Sequence, residues 1–259
     1  MLFRRLPERA APRAAGVVAD VLAVVTWNLL HRVHAQNWSE PAIDAHPDEA
    51  ARIAAITRRI AAGFPPATVV CLQEVSGDQL ASLREALPGA SIFAWSYPRV
   101  PALRRPGPSP LADPTEHLVV LVHGAARHVH GETFASDRGK GFLGVEIGDT
   151  LVLDTHATPG AEHAAQCARL AEQASLHAGP VLIVGDFNED RATSLAHVGR
   201  DFRVAVPREP ALPTRPRADG RSKSQTIDHA MVRGAPIAWA EVLSGEGLSD
   251  HNPLIVQIG

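Results

Sequence analysis

Eight residues with chemically capable side chains stand where apolar runs begin or end: Asn28, Glu74, His156, Asp186, Asn188, Asp228, Asp250 and His251. Burying one such group unpaired costs about 1–3 kcal/mol. Their recurrence at strand rims is better explained by rims that converge on one polar cleft. The densest example is Val181 to Asn188, four aliphatic residues followed by Gly185, Asp186, Phe187 and Asn188. On a strand end, positions i and i+2 face the same way, so Asp186 and Asn188 can look into one cleft. A carboxylate beside an amide suits the orientation of a water next to a charged substrate. Gly, Asp and Asn are also ordinary turn residues, so this stretch decides nothing alone. Glu74 suits a hard cation such as Mg²⁺, which takes one or two carboxylates, keeps waters and accepts phosphate oxygens. Imidazoles are poor Mg²⁺ ligands, so His156 and His251 read as donors or acid/base groups. A carboxylate near a histidine fixes its tautomer and favours imidazolium, a task open to Asp228 toward His251.

The elements that must position these groups alternate. Asp20 to Leu29 is an apolar run that reads as a central strand ending in Trp27-Asn28. His31, His34, Trp38 and Pro41 then fall in an expected loop, and His-x-x-His without a framing ligand pair reads as rim histidines, not zinc. Pro47 to Ala62 predicts a helix: acids open it, Arg58 and Arg59 close it, and Ile53, Ile56 and Ile60 form one apolar stripe. A strand from Thr68 delivers Gln73-Glu74, and Ser76 caps a second helix running to about Leu87. Six prolines between Pro98 and Pro114, with Arg99, Arg104 and Arg105, predict a long basic loop. Short strands follow at about 117–123, 127–134, 142–147 and 150–156, then a helix at about 161–177. Residues 191–223 read as loop-rich; eight basic residues against three acids give 8 − 3 = +5. Strands at about 226–232, 236–243 and 253–258 close the chain.

A chain of 259 residues with 45% hydrophobic and 20% charged content suits a soluble α/β protein with a substantial core. No apolar run reaches the ~20 residues of a membrane span, which argues against a membrane partner. Residues 1–19 read as a basic lead-in without a signal-peptide core, and 20–259 as one domain. Cys71 and Cys167 sit in separate apolar runs, form no disulfide framework and point to the cytoplasm. The net charge of −3 gives no global field for nucleic acid.

Six blocks together resemble the endonuclease/exonuclease/phosphatase superfamily, with its deoxyribonuclease-I-like fold. They are Thr26-Trp27-Asn28, Leu72-Gln73-Glu74-Val75, Asp154-Thr155-His156, Gly185-Asp186-Phe187-Asn188, Thr226-Ile227-Asp228-His229 and Leu248-Ser249-Asp250-His251-Asn252-Pro253. They occur in the family's order and span nearly the whole chain. The resemblance implies a four-layer α-β-β-α sandwich of two mixed sheets and a divalent-metal phosphoesterase using Mg²⁺ or Mn²⁺. It implies that Glu74 binds the metal, with Asn28 beside it and Asp250 in support. Asp186 would orient and deprotonate the attacking water. Asn188 and His156 would bind the scissile phosphate, and His251, held by Asp228, would steady the charge building on its oxygens.

The chain also departs from the family pattern. Glu116-His117 stands where a Gly-Asn or tyrosine-bearing segment is frequent, and Tyr97 is the one tyrosine. His163 precedes Gln166 where an arginine is common, and His229 follows Asp228 where a tyrosine is frequent. The family cleaves nucleic acids, inositol phosphates and lipid phosphodiesters, so fold leaves the substrate open. The two Arg-rich loops favour nucleic acid, with a small-molecule or lipid phosphoester as the alternative and a non-catalytic binding module third. Nothing in the sequence calls for an obligate protein partner, and a monomer is expected.

Overall fold

The computed structural model describes residues 21–105, 107–217 and 223–259, so the expected lead-in at 1–19 lies outside the described residues. In chain order the strands are β1 (Leu22–Asn28), β2 (Val69–Ser76), β3 (Ser91–Ser96), β4 (Glu116–Val122), β5 (Arg127–Thr133) and β6 (Gly141–Ile147). They continue with β7 (Thr150–His156), β8 (Val181–Asp186), β9 (Arg203–Val204), β10 (Asp228–Arg233), β11 (Ile237–Val242) and β12 (Leu254–Ile258). The helices are α1 (Arg32–Trp38), α2 (Ala42–Ala45), α3 (Glu49–Ala61), α4 (Gly77–Ala86), α5 (His163–Ser175) and α6 (Arg191–Val198).

The strands form two six-stranded mixed sheets, ordered β11-β12-β1-β2-β4-β3 and β5-β6-β7-β8-β10-β9. Each sheet has one parallel pair at its centre, β1 with β2 and β7 with β8. A parallel pair needs a crossover, and the crossovers contain α3 and α5. Period-two alternation sorts the side chains into layers. Val24, Cys71, Val120 and Leu118 of the first sheet meet Leu143, Val145, Val152 and Val184 of the second between the sheets. The opposite face of the first sheet, including Val25, Trp27 and Leu72, packs on Ile56 and Ile60 of α3 and Leu80 and Leu83 of α4. The outer face of the second, including Leu153 and Ile183, packs on Cys167, Leu170 and Ala174 of α5. The result is the four-layer α-β-β-α sandwich that the motif order implied.

Two stretches expected as loops are helical. Residues 32–38 form α1, capped by His31, whose Nδ1 accepts from the Val33 amide at 3.2 Å. Its buried side carries Arg32, ion-paired to Glu49 at 3.5 Å, beside Val33 and Ala35, so the apolar periodicity is masked. Residues 191–198 form α6, capped by Asp190 and burying only Ser194 and Val198 fully. So sparse a stripe falls below what a period-3.6 reading detects. His31 is fully buried rather than on the rim; His34 lines the cleft described below.

Gly185 is the backbone position on which the sheet rim depends. Its φ is +144°, and a Cβ there would lie 1.9 Å from the Thr155 carbonyl oxygen of the neighbouring strand. Both the torsion and the close approach require glycine. Gly185→Ala is therefore expected to destabilise the fold by about 3 kcal/mol, through strain plus separation of β7 from β8. Chemical denaturation measures this, and a loss below about 1 kcal/mol would contradict the packing argument.

Candidate active site

The two parallel pairs end at the same rim and deliver one polar residue after another. In the first sheet β1 ends at Asn28 and β2 passes through Glu74. In the second, register sets His156 opposite Asp186 on one side, and Asp228 opposite Asp186 on the other. Glu74 needs a special backbone to face the cleft: the β2–β4 register shifts between Leu72 and Val75, and Glu74 has φ +56°. A bulge of this kind re-aims a side chain, and left-handed non-glycine residues cluster at functional sites. Asn188 repeats the device with φ +54°.

A cleft of about 1480 Å³ opens at this rim, and Glu74, His156, Asp186, Asn188, Asp250 and His251 are among the residues lining it. Asn28 and Asp228 stand behind that wall and act on its members. The Asn28 amide donates to Glu74 Oε1 at 3.1 Å and to Asp186 Oδ2 at 3.0 Å, while its oxygen accepts from the Leu30 amide at 2.9 Å. Glu74 Oε2 accepts from the His31 backbone amide at 2.9 Å. Asp186 Oδ1 accepts from the Asn188 amide at 2.9 Å, and the Asn188 side chain donates to the Ala157 carbonyl at 3.0 Å. His156 Nε2 lies 3.3 Å from Asp186 Oδ2 and 3.8 Å from Glu74 Oε1. Asp228 Oδ2 holds His251 Nδ1 at 2.8 Å, which aims Nε2 toward Asp186 Oδ2 at 3.9 Å.

Burial raises the cost of these charges, and neighbouring charges decide the outcome. Burial alone would push the Asp186 carboxyl up, but His251, His156 and Lys140 hold it well below the usual carboxylate range. Glu74 is treated alike: burial works against its charge, and His34, His156 and Lys140 prevail. Burial lowers His251, yet Asp228, Asp250 and Asp186 together lift it to about 10. These carboxylates favour the protonated form of His251.

That charge state bears on a metal. Ligand atoms of Asp186, Asp228 and His251 lie within 4.8 Å of one another, a spacing compatible with an ion. Asp228 Oδ2 and His251 Nδ1 are spent on each other at 2.8 Å, which leaves this trio fewer free donors than its spacing suggests. Glu74 with the near Asp186 oxygen fits better: two hard carboxylates face the cleft, and the Lys140 ammonium is drawn in beside them, against His156. Oxygen donors of this kind suit Mg²⁺ or Mn²⁺.

Several residues of the site carry no motif signal. Lys140 sits between Gly139 and Gly141 at the entry to β6 and contacts His156 Nε2. Arg215 binds Asp250 Oδ2 at 2.9 Å and Glu40 Oε1 at 3.1 Å, and Arg217 binds Glu40 Oε2 at 2.7 Å. Arg52 gathers the Leu29, Leu30 and Leu248 carbonyls while paired to Glu49 at 2.7 Å, locking the loops beside Asn28 and Asp250. A lone polar residue inside a helix pattern gives no hint of this; the partners come from distant segments. The departures from the family pattern also find partners. Gln166 holds the loop after His156 through the Thr158 amide at 2.8 Å, His163 meets His197 at 3.0 Å, and His229 binds the Glu189 carbonyl at 2.9 Å. Tyr97 is buried, with its hydroxyl unpartnered among the described residues.

With the fold and geometry in place, comparison identifies the group: the chain belongs to the Endonuclease/Exonuclease/phosphatase family, whose model matches residues 25–251. Members of this family are hydrolytic phosphoesterases. A UPF0294 protein of Yersinia pestis is 36% identical over 91 residues, which cover 34% of this chain and 33% of that protein. Among solved structures, Danio rerio TDP2 complexed with a single-strand DNA product superposes with TM-score 0.63 at 12% identity, covering 93% of this chain and 99% of that one. The Bacteroides thetaiotaomicron mannosyl-6-phosphatase Bt3783 gives TM-score 0.64 at 19% identity, covering 92% and 99%. At these identities the two structures speak for the fold alone.

Behind Glu74, Gln73 donates to Asp154 Oδ1 at 2.5 Å and joins the two sheets. Burial pushes the Asp154 carboxyl well above its ordinary range despite this bond and the Leu72 and Thr155 amides. Above about pH 4 the unfolded chain releases this proton and the folded chain keeps it, so the group costs stability as pH rises. Asp154→Asn removes that dependence. Its stability relative to wild type should increase from pH 4 to pH 7 by up to about 1.4 kcal/mol per pH unit until the folded carboxyl ionises. A difference that stays flat across that range, measured by urea melts, would show Asp154 charged in the fold.

Proposed function

We propose that the chain is a divalent-metal-dependent phosphodiesterase that hydrolyses a nucleic-acid phosphodiester with an activated water. The observation that carries this is the convergence of Glu74, His156, Asp186, Asn188 and the Asp228–His251 pair on one cleft. Asp186, ionised and fixed by Asn28 and the Asn188 amide, orients the water and takes its proton. Asn188 and His156 bind the scissile phosphate, and Lys140 adds charge beside His156. The His251 imidazolium, kept protonated and aimed by Asp228, meets the charge that grows on the phosphorus oxygens. A divalent ion such as Mg²⁺ or Mn²⁺ would be held by Glu74, with Asn28 and Asp250 as the further candidates, and would supply a Lewis acid to the phosphate.

The rim supports a nucleotide. Trp38 is 63% exposed, and Arg104 stacks on it with its guanidinium 3.9 Å from the ring centroid. Asn37 binds the Ala102 carbonyl at 3.0 Å and the Arg104 amide at 2.8 Å, which fastens the Pro-rich loop beside this platform. Aromatic and guanidinium planes stack bases without regard to sequence. A small phosphoester is the second reading. Arg215, Arg217 and Arg99 are each paired to an acid, which leaves few cations for a long polyanion. A short contact with one or two phosphates reconciles the two features.

Cys71 and Cys167 are both free and buried, in the inter-sheet core and under helix α5. No helix among the described residues is long and apolar enough to cross a membrane.

Incubation with Mg²⁺ or Mn²⁺ against plasmid, single-stranded DNA, RNA, an abasic oligonucleotide and bis(p-nitrophenyl) phosphate tests the reading. Cleavage should require the metal, stop with EDTA, and fall ~10²–10⁴-fold in Asp186→Ala. Binding to nucleic acid should show a shallow salt slope, near −0.9 per phosphate contacted on duplex DNA, reduced by about one contact in Arg104→Ser. Cleavage of the small ester alone would transfer the proposal to the second reading. No metal-dependent cleavage of any substrate would leave a binding module.

A further inference from the structure

The wall of the cleft is tied together segment to segment. Asn37, near the end of α1, donates from its side chain to the Ala102 carbonyl at 3.0 Å and accepts from the Arg104 amide at 2.8 Å. This joins α1 to the Pro-rich loop. That loop is joined in turn to the β5–β6 turn, where Arg99 pairs with Asp137 at 3.3 Å and its amide donates to the Arg138 carbonyl at 3.3 Å. Asp137 also accepts from the Thr158 hydroxyl at 3.0 Å, which reaches the loop after β7. From the same end of α1, buried Glu40 takes Arg217 at 2.7 Å and Arg215 at 3.1 Å, and Arg215 continues to Asp250 at 2.9 Å. Thr214 beside them is wholly buried, and its hydroxyl accepts from the Ile227 and Asp228 amides at 3.0 and 3.1 Å. The segment is thereby fixed to the start of β10.

Every one of these tied segments lines the cleft, so the ties make a collar around it that runs from Thr158 to Asp250. Between those two ends no tie crosses among the described residues. Strand order places the end of β8, with Asp186 and Asn188, in that interval, between β7 and the β10 acid that holds His251. A chain lying through a groove needs an opening on each side of the scissile bond; this collar leaves one. The cleft, at about 1480 Å³, is nonetheless larger than the roughly 300–1,000 Å³ of a small-ligand pocket. Trp38 stands on the collar between Asn37 and Glu40, 63% exposed with Arg104 over its ring. The helical rise of about 1.5 Å per residue places it roughly 10 Å along α1 from His31, whose amide holds Glu74. A base stacked there belongs to a nucleotide near the scissile bond. Bases within a duplex have both faces covered, so this platform serves an unpaired base.

We propose that the chain takes the free end of an unpaired strand, seated on Trp38, and hydrolyses it from that end, an inference that rests on the phosphodiesterase reading. The strand end enters over the gap at β8, which brings its phosphodiester to Asp186 while the neighbouring base stacks on the indole. The water oxygen forms its bond to phosphorus and gives a proton to Asp186. The bond from phosphorus to the departing oxygen breaks, and that oxygen takes a proton from solvent. An internal phosphodiester of a closed chain is refused, because both of its arms would have to leave through one gap.

The test compares strand topologies. Wild type with Mg²⁺ or Mn²⁺ is given a linear single-stranded DNA, the same sequence closed into a circle, the linear strand annealed to its complement, and bis(p-nitrophenyl) phosphate. The linear strand should shorten stepwise from a terminus, with the circle and the duplex cut about a hundredfold more slowly. Trp38→Ala should raise KM on the linear strand about tenfold, and Trp38→Phe should restore most of it. Asn37→Ala and Arg217→Ala, made separately and together, untie the collar and should raise the ratio of circle to linear cleavage. A general loss of activity leaves that ratio alone, and circular dichroism identifies which variants are folded. Equal rates on circle and linear strand, a ratio that stays fixed in the folded collar variants, or a KM that Trp38→Ala does not move would overturn the inference. Wild-type cleavage keeps the phosphodiesterase reading in each of those cases. Cleavage of the small ester alone would overturn the strand-end substrate and the nucleic-acid reading together. A wild type that cleaves nothing would overturn the phosphodiesterase reading itself.

Discussion

Crowding of negative charge at one rim is the constraint to which the rest of this structure answers. Glu74, Glu116, Asp186, Asp228 and Asp250 come from separate strands and loops and end up in or beside one cleft. Two like charges about 4 Å apart repel by roughly 4 kcal/mol at an effective dielectric of 20. The chain meets this by giving each carboxylate its own donor: Asn28 and the His31 amide for Glu74, His34 for Glu116, the Asn188 amide for Asp186, His251 for Asp228 and Arg215 for Asp250. These donors come from the end of β1 and from four inter-strand segments, so the polar pairs also fasten the rim. Arg52 does the same by binding carbonyls on either side of it.

The same neutralisation shapes the chemistry. A carboxylate held below its usual range is reliably ionised and correspondingly weak as a base. Asp186 is in that position because His251, His156 and Lys140 overcome its burial. In the proposed reaction, an anionic phosphate seated among these groups would draw on them too and weaken their hold on Asp186. Basicity then rises when a water and a phosphate are both in place. In that proposal orientation is the contribution of Asp186 before that point, and its two fixed hydrogen bonds are suited to it.

How far the sequence revealed this can be judged residue by residue. The strands that carry Asn28, His156 and Asp186 were legible because both faces of each are buried, which writes a continuous apolar run. Helix α3 was legible through its caps and isoleucine stripe. The helix α1 was not, because its inner side spends Arg32 and His34 on ion pairs instead of aliphatic packing. Lys140, Arg215 and Glu116 stayed hidden for a related reason. Each is one charged residue in an unremarkable local setting, and its partner lies 16, 35 or 82 positions away. Local pattern reports what a segment buries against itself; it is silent on which distant acid a base will meet.

The basic loops show the same limit from the other direction. The surplus of +5 across residues 191–223 suggested a polyanion groove, yet charge counts say nothing about direction. Arg203 turns to the Ala235 carbonyl and Arg208 to the face of Trp239, both on the framework of the sheets. Arg215 and Arg217 do reach the cleft, where they hold Glu40 and Asp250. A cation already committed to a buried acid contributes shape to a wall and little free charge to a ligand. The arginine of this rim stacked on an exposed aromatic, Arg104 on Trp38, is suited to meet a planar base as well as a phosphate. Under the proposed reading, selectivity in such a cleft would come from the group next to the scissile phosphate, and only weakly from the length of the polymer beyond it.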